Sequence, residues 1–238
     1  MKSKSALMKA IVLLGAFLIF ALLAIGAAQQ PTIDERVAAI KQSLAKSAQQ
    51  LKQYQWTETT AVSYKGEEKS RTQNSCVYGA DGKVQKTPVG APPETKEKRG
   101  LRGKVVEKKK EEMSDYMQRA VEMIKFYVPP DPAKIQASKD AGKASLHVLE
   151  PGKRARVEFA DYNMAGDKLG IEIDVTNNTL LGLQVSTYLA DPTDAVNLNV
   201  RFATLADEAI YPSDVVLEAK AKEVKVNVQN SDYRKASQ

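Results

Sequence analysis

One cysteine, Cys76, and one histidine, His147, are all that this chain of 238 residues holds of the two side chains most used for transition-metal ligation. A lone cysteine closes no intramolecular disulfide, so packing alone must hold the fold. One of each is too few for a structural zinc site. A Ser-His-Asp or Cys-His arrangement would have to be built on His147, which alternates with Leu146 and Val148 and reads as the solvent-facing residue of a strand. The glycine-rich phosphate loops and the calcium-loop spacing are missing as well. Asp161, Asp167, Asp174 and Asp191 sit mostly at turns, where aspartate is favoured for local hydrogen bonding. Asn177-Asn178-Thr179 matches a glycosylation sequon but reads better as turn chemistry. The expectation is a protein that is not an enzyme and needs no cofactor and no metal.

Aromatic residues make up only 6% of the chain, which argues against a surface of exposed rings of the lectin or base-stacking kind. Positive charge is equally thin. The formal charge is +6, but Lys2, Lys4 and Lys9 lie in an acid-free leader, which leaves +3 and no nucleic-acid signature. That leader has the form of a secretory signal: a basic start, an apolar run from Ala10 to Ile25, and Gly26-Ala27-Ala28 as small residues for cleavage. Residues 1–28 are therefore read as a signal peptide of a periplasmic protein, the alternative being an uncleaved N-terminal anchor facing the periplasm. About 210 residues remain, enough for one domain with a real core, and 29–238 are read as that single domain.

What is abundant is alternation. Leu169, Ile171, Ile173 and Val175, then Leu181, Leu183, Val185 and Leu189, then Val196, Leu198, Val200 and Phe202, then Val224, Val226 and Val228 follow a period of two. That period gives each strand one apolar face. The turns between them are too short for crossover helices, so the strands should form an antiparallel meander. Tyr54 to Val84 predicts two or three more strands, with Trp56 as a core anchor. Thr32 and Glu35 form a capping box before a helix whose stripe runs Ile33, Val37, Ile40, Leu44, Ala48 and Leu51. A second helix, over 105–128, carries Val106, Met113, Met117, Ala120 and Ile124 and is stopped by Pro129-Pro130. Asp131-Pro132 starts a short third one, which Gly142 ends. The segment 88–104, rich in proline, glycine and charge, reads as a mobile loop.

The order of parts resembles a known family. A signal peptide and an amphipathic helix precede Tyr54-Gln55-Trp56-Thr57, a helical excursion follows, and a long meander ends in Ala209-Ile210-Tyr211-Pro212-Ser213 and Lys222 to Val228. The strand Ile171-Glu172-Ile173-Asp174, its Asn177-Asn178 turn and the return strand from Leu181 to Thr187 complete the likeness. This is similar to the LolA-like outer-membrane lipoprotein carriers. The resemblance implies an α+β fold, an open antiparallel β-sheet (half-barrel) wrapped over two or three helices, enclosing an apolar cavity. It implies a non-catalytic lipid- or lipoprotein-binding carrier or sensor, a monomer, whose partners are acyl chains. The expected lining is Leu181, Leu183, Val185, Leu198, Val200 and Phe202 on the sheet with Met113, Met117, Val121 and Ile124 on the helix. A basic stretch, Lys96, Lys98, Arg99, Arg102, Lys108, Lys109 and Lys110, offers a patch for an anionic membrane surface or an envelope protein. The alternative is an envelope interaction module that binds a protein through that loop and has no ligand cavity.

Overall fold

The structure, a computed structural model, describes the backbone of residues 33–90 and 101–236, with side chains from Ala38 to Gly90, at Lys108 and Lys109, and from Glu111 to Ala236. The signal segment 1–28, the Thr32 cap and Lys96, Lys98 and Arg99 lie outside the described residues, as do the side chains of Arg102 and Lys110. Helix α1 (Ile33–Leu51) is followed by β1 (Tyr54–Tyr64), β2 (Glu67–Tyr78) and β3 (Val84–Pro88). Helices α2 (Leu101–Ile124) and α3 (Pro132–Asp140) then lead to β4 (Ala144–Glu150), β5 (Arg154–Ala160), β6 (Lys168–Asp174) and β7 (Thr179–Tyr188). Strands β8 (Ala195–Thr204), β9 (Ile210–Ala219) and β10 (Val224–Lys235) complete the order. Residues 39–238 form one compact unit.

All ten strands belong to one sheet, in the order β3-β2-β1-β10-β9-β8-β7-β6-β5-β4. From β4 to β10 each strand pairs antiparallel with the next, as short turns between alternating segments require. The sheet is open. Its edges are β3 and β4, and the helical excursion is the connection between them. The other long-range closure is β1 against β10, with Tyr54 opposite Lys235 and Tyr64 opposite Val224.

Three boundaries differ from the sequence reading. Pro88 ends β3, where an edge strand tolerates a residue without an amide proton. Residues 101–104 belong to α2 rather than to a loop, and α2 ends at Ile124 rather than at Val128. A single glycine inside a helix, Gly103 here, costs only about 1 kcal/mol, which neighbouring turns offset. The third difference is a bulge. The register of β6 against β7 shifts between Glu172 and Ile173, so that Leu180, not Leu181, stands opposite Ile173. Leu180 and Ile173 are both buried. The regular alternation through Leu181 fails because a bulge inserts one extra residue.

Local chemistry sets the turns. Asp174 accepts hydrogen bonds from the amides of Thr176 and Asn177 at 2.7 and 3.2 Å, and Asn178 takes the left-handed conformation at φ 51°. Asp131 caps α3 by accepting from the amide of Ala133 at 2.8 Å, and Gly142, at φ 67°, lets the chain leave it.

Candidate ligand-binding face

Side chains directly opposite across an antiparallel ladder share a face, so the register sorts the apolar residues of the sheet into rows. The first row, Thr187, Val196, Ala219 and Val224, is buried throughout. The next contains Phe159, Leu169, Val185, Leu198 and Leu217, all buried, with Val226 half-buried at its end. These residues form one core cluster with Ala120 and Ile124 of α2 and with Tyr127 just beyond it. Val196 of the first row belongs to the same cluster.

The third row is different. It runs Leu146, Val157, Ile171, Leu183, Val200, Val215 and Val228, and of these only Leu183 is buried. Val157, Ile171, Val200, Val215 and Val228 are half-buried, Phe202 nearby is half-buried, and Leu146 is 58% exposed. Beyond it Ala155, Ile173 and Leu180 are buried again, while Val148 in the same row is 64% exposed. The apolar face is therefore buried along two rows and only half-buried along the adjoining one.

The expected lining divides accordingly. Leu183, Val185, Leu198 and Ile124 lie in the packed core; Val200, Phe202, Met113 and Met117 are half-buried beside it; Val121 stands 44% exposed. Leu181 is half-buried at the bulge. In the basic stretch, Lys108 and Lys109 are exposed on α2.

Hydrogen bonds between buried groups hold the excursion on the sheet. Tyr127 donates its hydroxyl proton to Asp167, and the same oxygen lies 2.8 Å from Thr187 Oγ1. Asp167 is buried and also accepts from the amides of Asn163 and Met164 at 3.0 and 2.7 Å. Burial, reinforced by the Asp167 carboxylate, pushes the Tyr127 phenol well above its usual range. Tyr162 packs on Tyr127, with ring centroids 5.7 Å apart, and accepts from the Asp131 amide at 2.7 Å. Further back in the C-terminal half of α2, Tyr116 donates to Asp194, and burial raises its pKa too. The sequence reading left out Tyr116, although it stands four residues before Ala120 at the spacing of the same stripe; its partner Asp194, 78 residues away, is what no local pattern could supply.

A second concavity lies among the first strands and β10. Trp56 stacks on Tyr233 at 5.5 Å between centroids and packs against Tyr78 at 5.4 Å, while Tyr211 meets Tyr233 at 4.3 Å. With Leu51, Val84 and Pro212 these rings border a groove of about 340 Å³, closed at one side by Glu58, Lys86 and Asn230. Lys86 bonds Glu58 at 2.6 Å, and Trp56 donates its indole proton to Asn230 at 3.1 Å. Trp56 is a buried anchor, as expected, but the rings gathered around it come from strands far apart in sequence. Cys76 is fully buried, and burial pushes its thiol up, away from reactivity. The C-terminal half of α1, whose Leu51 borders the same groove, is fixed to the strand ends beside it. Ser47 is buried and accepts from the Ile210 amide at 2.9 Å, Gln50 donates to the Asp207 carbonyl at 2.8 Å, and Tyr54 donates to the Asp207 carboxylate at 2.8 Å.

Among the described residues no helix is long and apolar enough to cross a membrane. The chain matches no protein-family model and no curated protein. Among solved structures it is similar to a LolA superfamily protein from Nitrosomonas europaea, at 11% identity and a TM-score of 0.34, over 84% of this chain and 94% of that one. It is similar also to a DUF1329 family protein from Desulfovibrio piger, at 9% identity and a TM-score of 0.31, over 83% of this chain and 93% of that one. The likeness is one of architecture and assigns no residue a role.

Proposed function

We propose that this chain is an exported, non-catalytic lipid- or lipoprotein-binding protein, a carrier or sensor that holds an acyl chain on the core face of the sheet beside α2. One observation carries the reading: the row Val157, Ile171, Val200 and Val215 is apolar, adjoins the buried core cluster on that face and is itself only half-buried. Each acyl methylene that leaves water for such a face gains about 0.8 kcal/mol, so a short apolar trough suffices to extract a chain. Met113 and Met117, half-buried on α2, supply adaptable walls. The exposed Lys108 and Lys109 on the same helix give it a basic side toward anionic headgroups or an acidic partner.

The second reading, an interaction module with a closed core, is favoured by the burial of Leu183, Val185, Leu198 and Ile124, which leaves no space behind them. Native mass spectrometry of protein purified from its own envelope, repeated after organic extraction, separates the two. A stoichiometric lipid that is lost from a folded Val200→Glu variant supports the carrier. A clean apo mass, with no uptake of added lipid, leaves the interaction module. Deleting residues 91–100 gives the complementary result: a carrier keeps its lipid, whereas the module loses its protein partner.

A further inference from the structure

The two edges of the sheet are guarded differently. β3 is five residues long, carries Lys86 and ends in Pro88. Shortness, lysine and proline are the usual means of keeping an edge from pairing with another strand. β4 has none of these three, and its ladder to β5 runs regularly from Ala144 to Val148 before the register shifts ahead of Glu150. From Ala144 to Leu149 it holds no proline and no Lys, Arg, Asp or Glu, and Leu146, Val148 and Leu149 are exposed. Among the described residues no strand lies on its free side.

Which backbone groups are open follows from the parity of the ladder. The Ala160 amide donates to the Lys143 carbonyl at 2.9 Å, which makes Lys143 and Ala160 a hydrogen-bonded pair. Alternation then points the amides and carbonyls of Ser145 and His147 at β5, and those of Ala144, Leu146 and Val148 outward. The opposite side of β5 agrees. There the Val175 amide donates to the Lys153 carbonyl at 2.8 Å, so odd-numbered residues of β5 face β6 and even-numbered ones face β4.

We infer that β4 pairs antiparallel with β4 of a second copy of this chain, about a two-fold axis through His147. A two-fold interface must be self-complementary, and this strand is. The axis sets Leu146 opposite Val148 of the second copy and Val148 opposite its Leu146, so both outward-facing sets of backbone groups meet their own kind. A slip of one residue would set inward-facing groups against outward-facing ones and lose every bond. The two most exposed apolar side chains of the core face cover one another. No charged residue lies between Ala144 and Val148, the regular part of the strand, so no like charges oppose there. His147 meets its own twin as the non-bonded pair at the centre.

The register gives a sharp test. Paired non-hydrogen-bonded residues lie about 4.5 Å apart at Cα, within the span of a disulfide. His147→Cys should therefore form a disulfide-linked dimer under mild oxidation. Ser145→Cys should not, because its twin would lie about 13 Å away along the strand. The buried Cys76 does not interfere. Leu146→Pro removes an outward amide without touching the ladder to β5, and sedimentation equilibrium should show dimer affinity falling about tenfold or more, with an unchanged circular dichroism spectrum. A wild-type chain that stays monomeric at every concentration overturns the inference. So does equal cross-linking at positions 145 and 147, or an edge that binds extended peptides but not itself.

Discussion

Replacing Tyr127 with phenylalanine keeps its ring against Tyr162 and removes one hydroxyl, which leaves Asp167 buried with one donor fewer. A buried acceptor that loses its partner costs about 1–3 kcal/mol, so Tyr127→Phe should lower the denaturation midpoint by that amount without changing its slope. The same phenol predicts a pH response. Its pKa is raised in the folded state, as are those of Tyr116 and Tyr233, from an ordinary value of 10.0. Groups that hold their protons more tightly when folded lend stability that is complete below the unfolded value and is lost as pH rises above it. Stability should be flat up to about pH 10 and fall beyond it, with the phenolate absorbance of these rings appearing only on unfolding. At this scale the sequence was least legible. Ser47, not Ala48, is the buried polar anchor of α1, because its hydroxyl meets a strand amide from residue 210. Leu180 replaces Leu181 on the core face because bulges leave alternation intact on one side of them only.

Element by element the chain reads more clearly. Period-two segments give β6, β7, β8 and β10 nearly as expected, β9 is not among them, and Asp131-Pro132 with Gly142 brackets α3. Asp131→Ala removes the cap of that helix while its backbone amide still bonds Tyr162, so the expected loss is about 1 kcal/mol, measurable by chemical denaturation. The candidate site was half legible. Alternation identified the face, but which row stays only half-buried depends on where Tyr116 and Tyr127 fasten the helical excursion, through Asp194, Asp167 and Thr187. None of these contacts is local. The basic stretch is likewise readable only as composition until the helix is placed, and there Lys108 and Lys109 face solvent together with Glu111 and Glu112.

For the molecule as a whole, the meander from β4 to β10 is built of neighbours in sequence, whereas β1 joins β10 across most of the chain. Local pairings close early and distant ones late, because loop entropy must be overcome first. Pulsed hydrogen exchange during refolding should find the amides of β6 to β8 protected before those of β1 and β2. This ordering has a consequence for a chain made from one end. The hairpins β1 to β3 emerge first, yet β1 has no partner on its other side until Val224–Lys235 has followed. The last strand acts as the latch: until it is made, the first hairpins and the meander are two separate pieces of sheet.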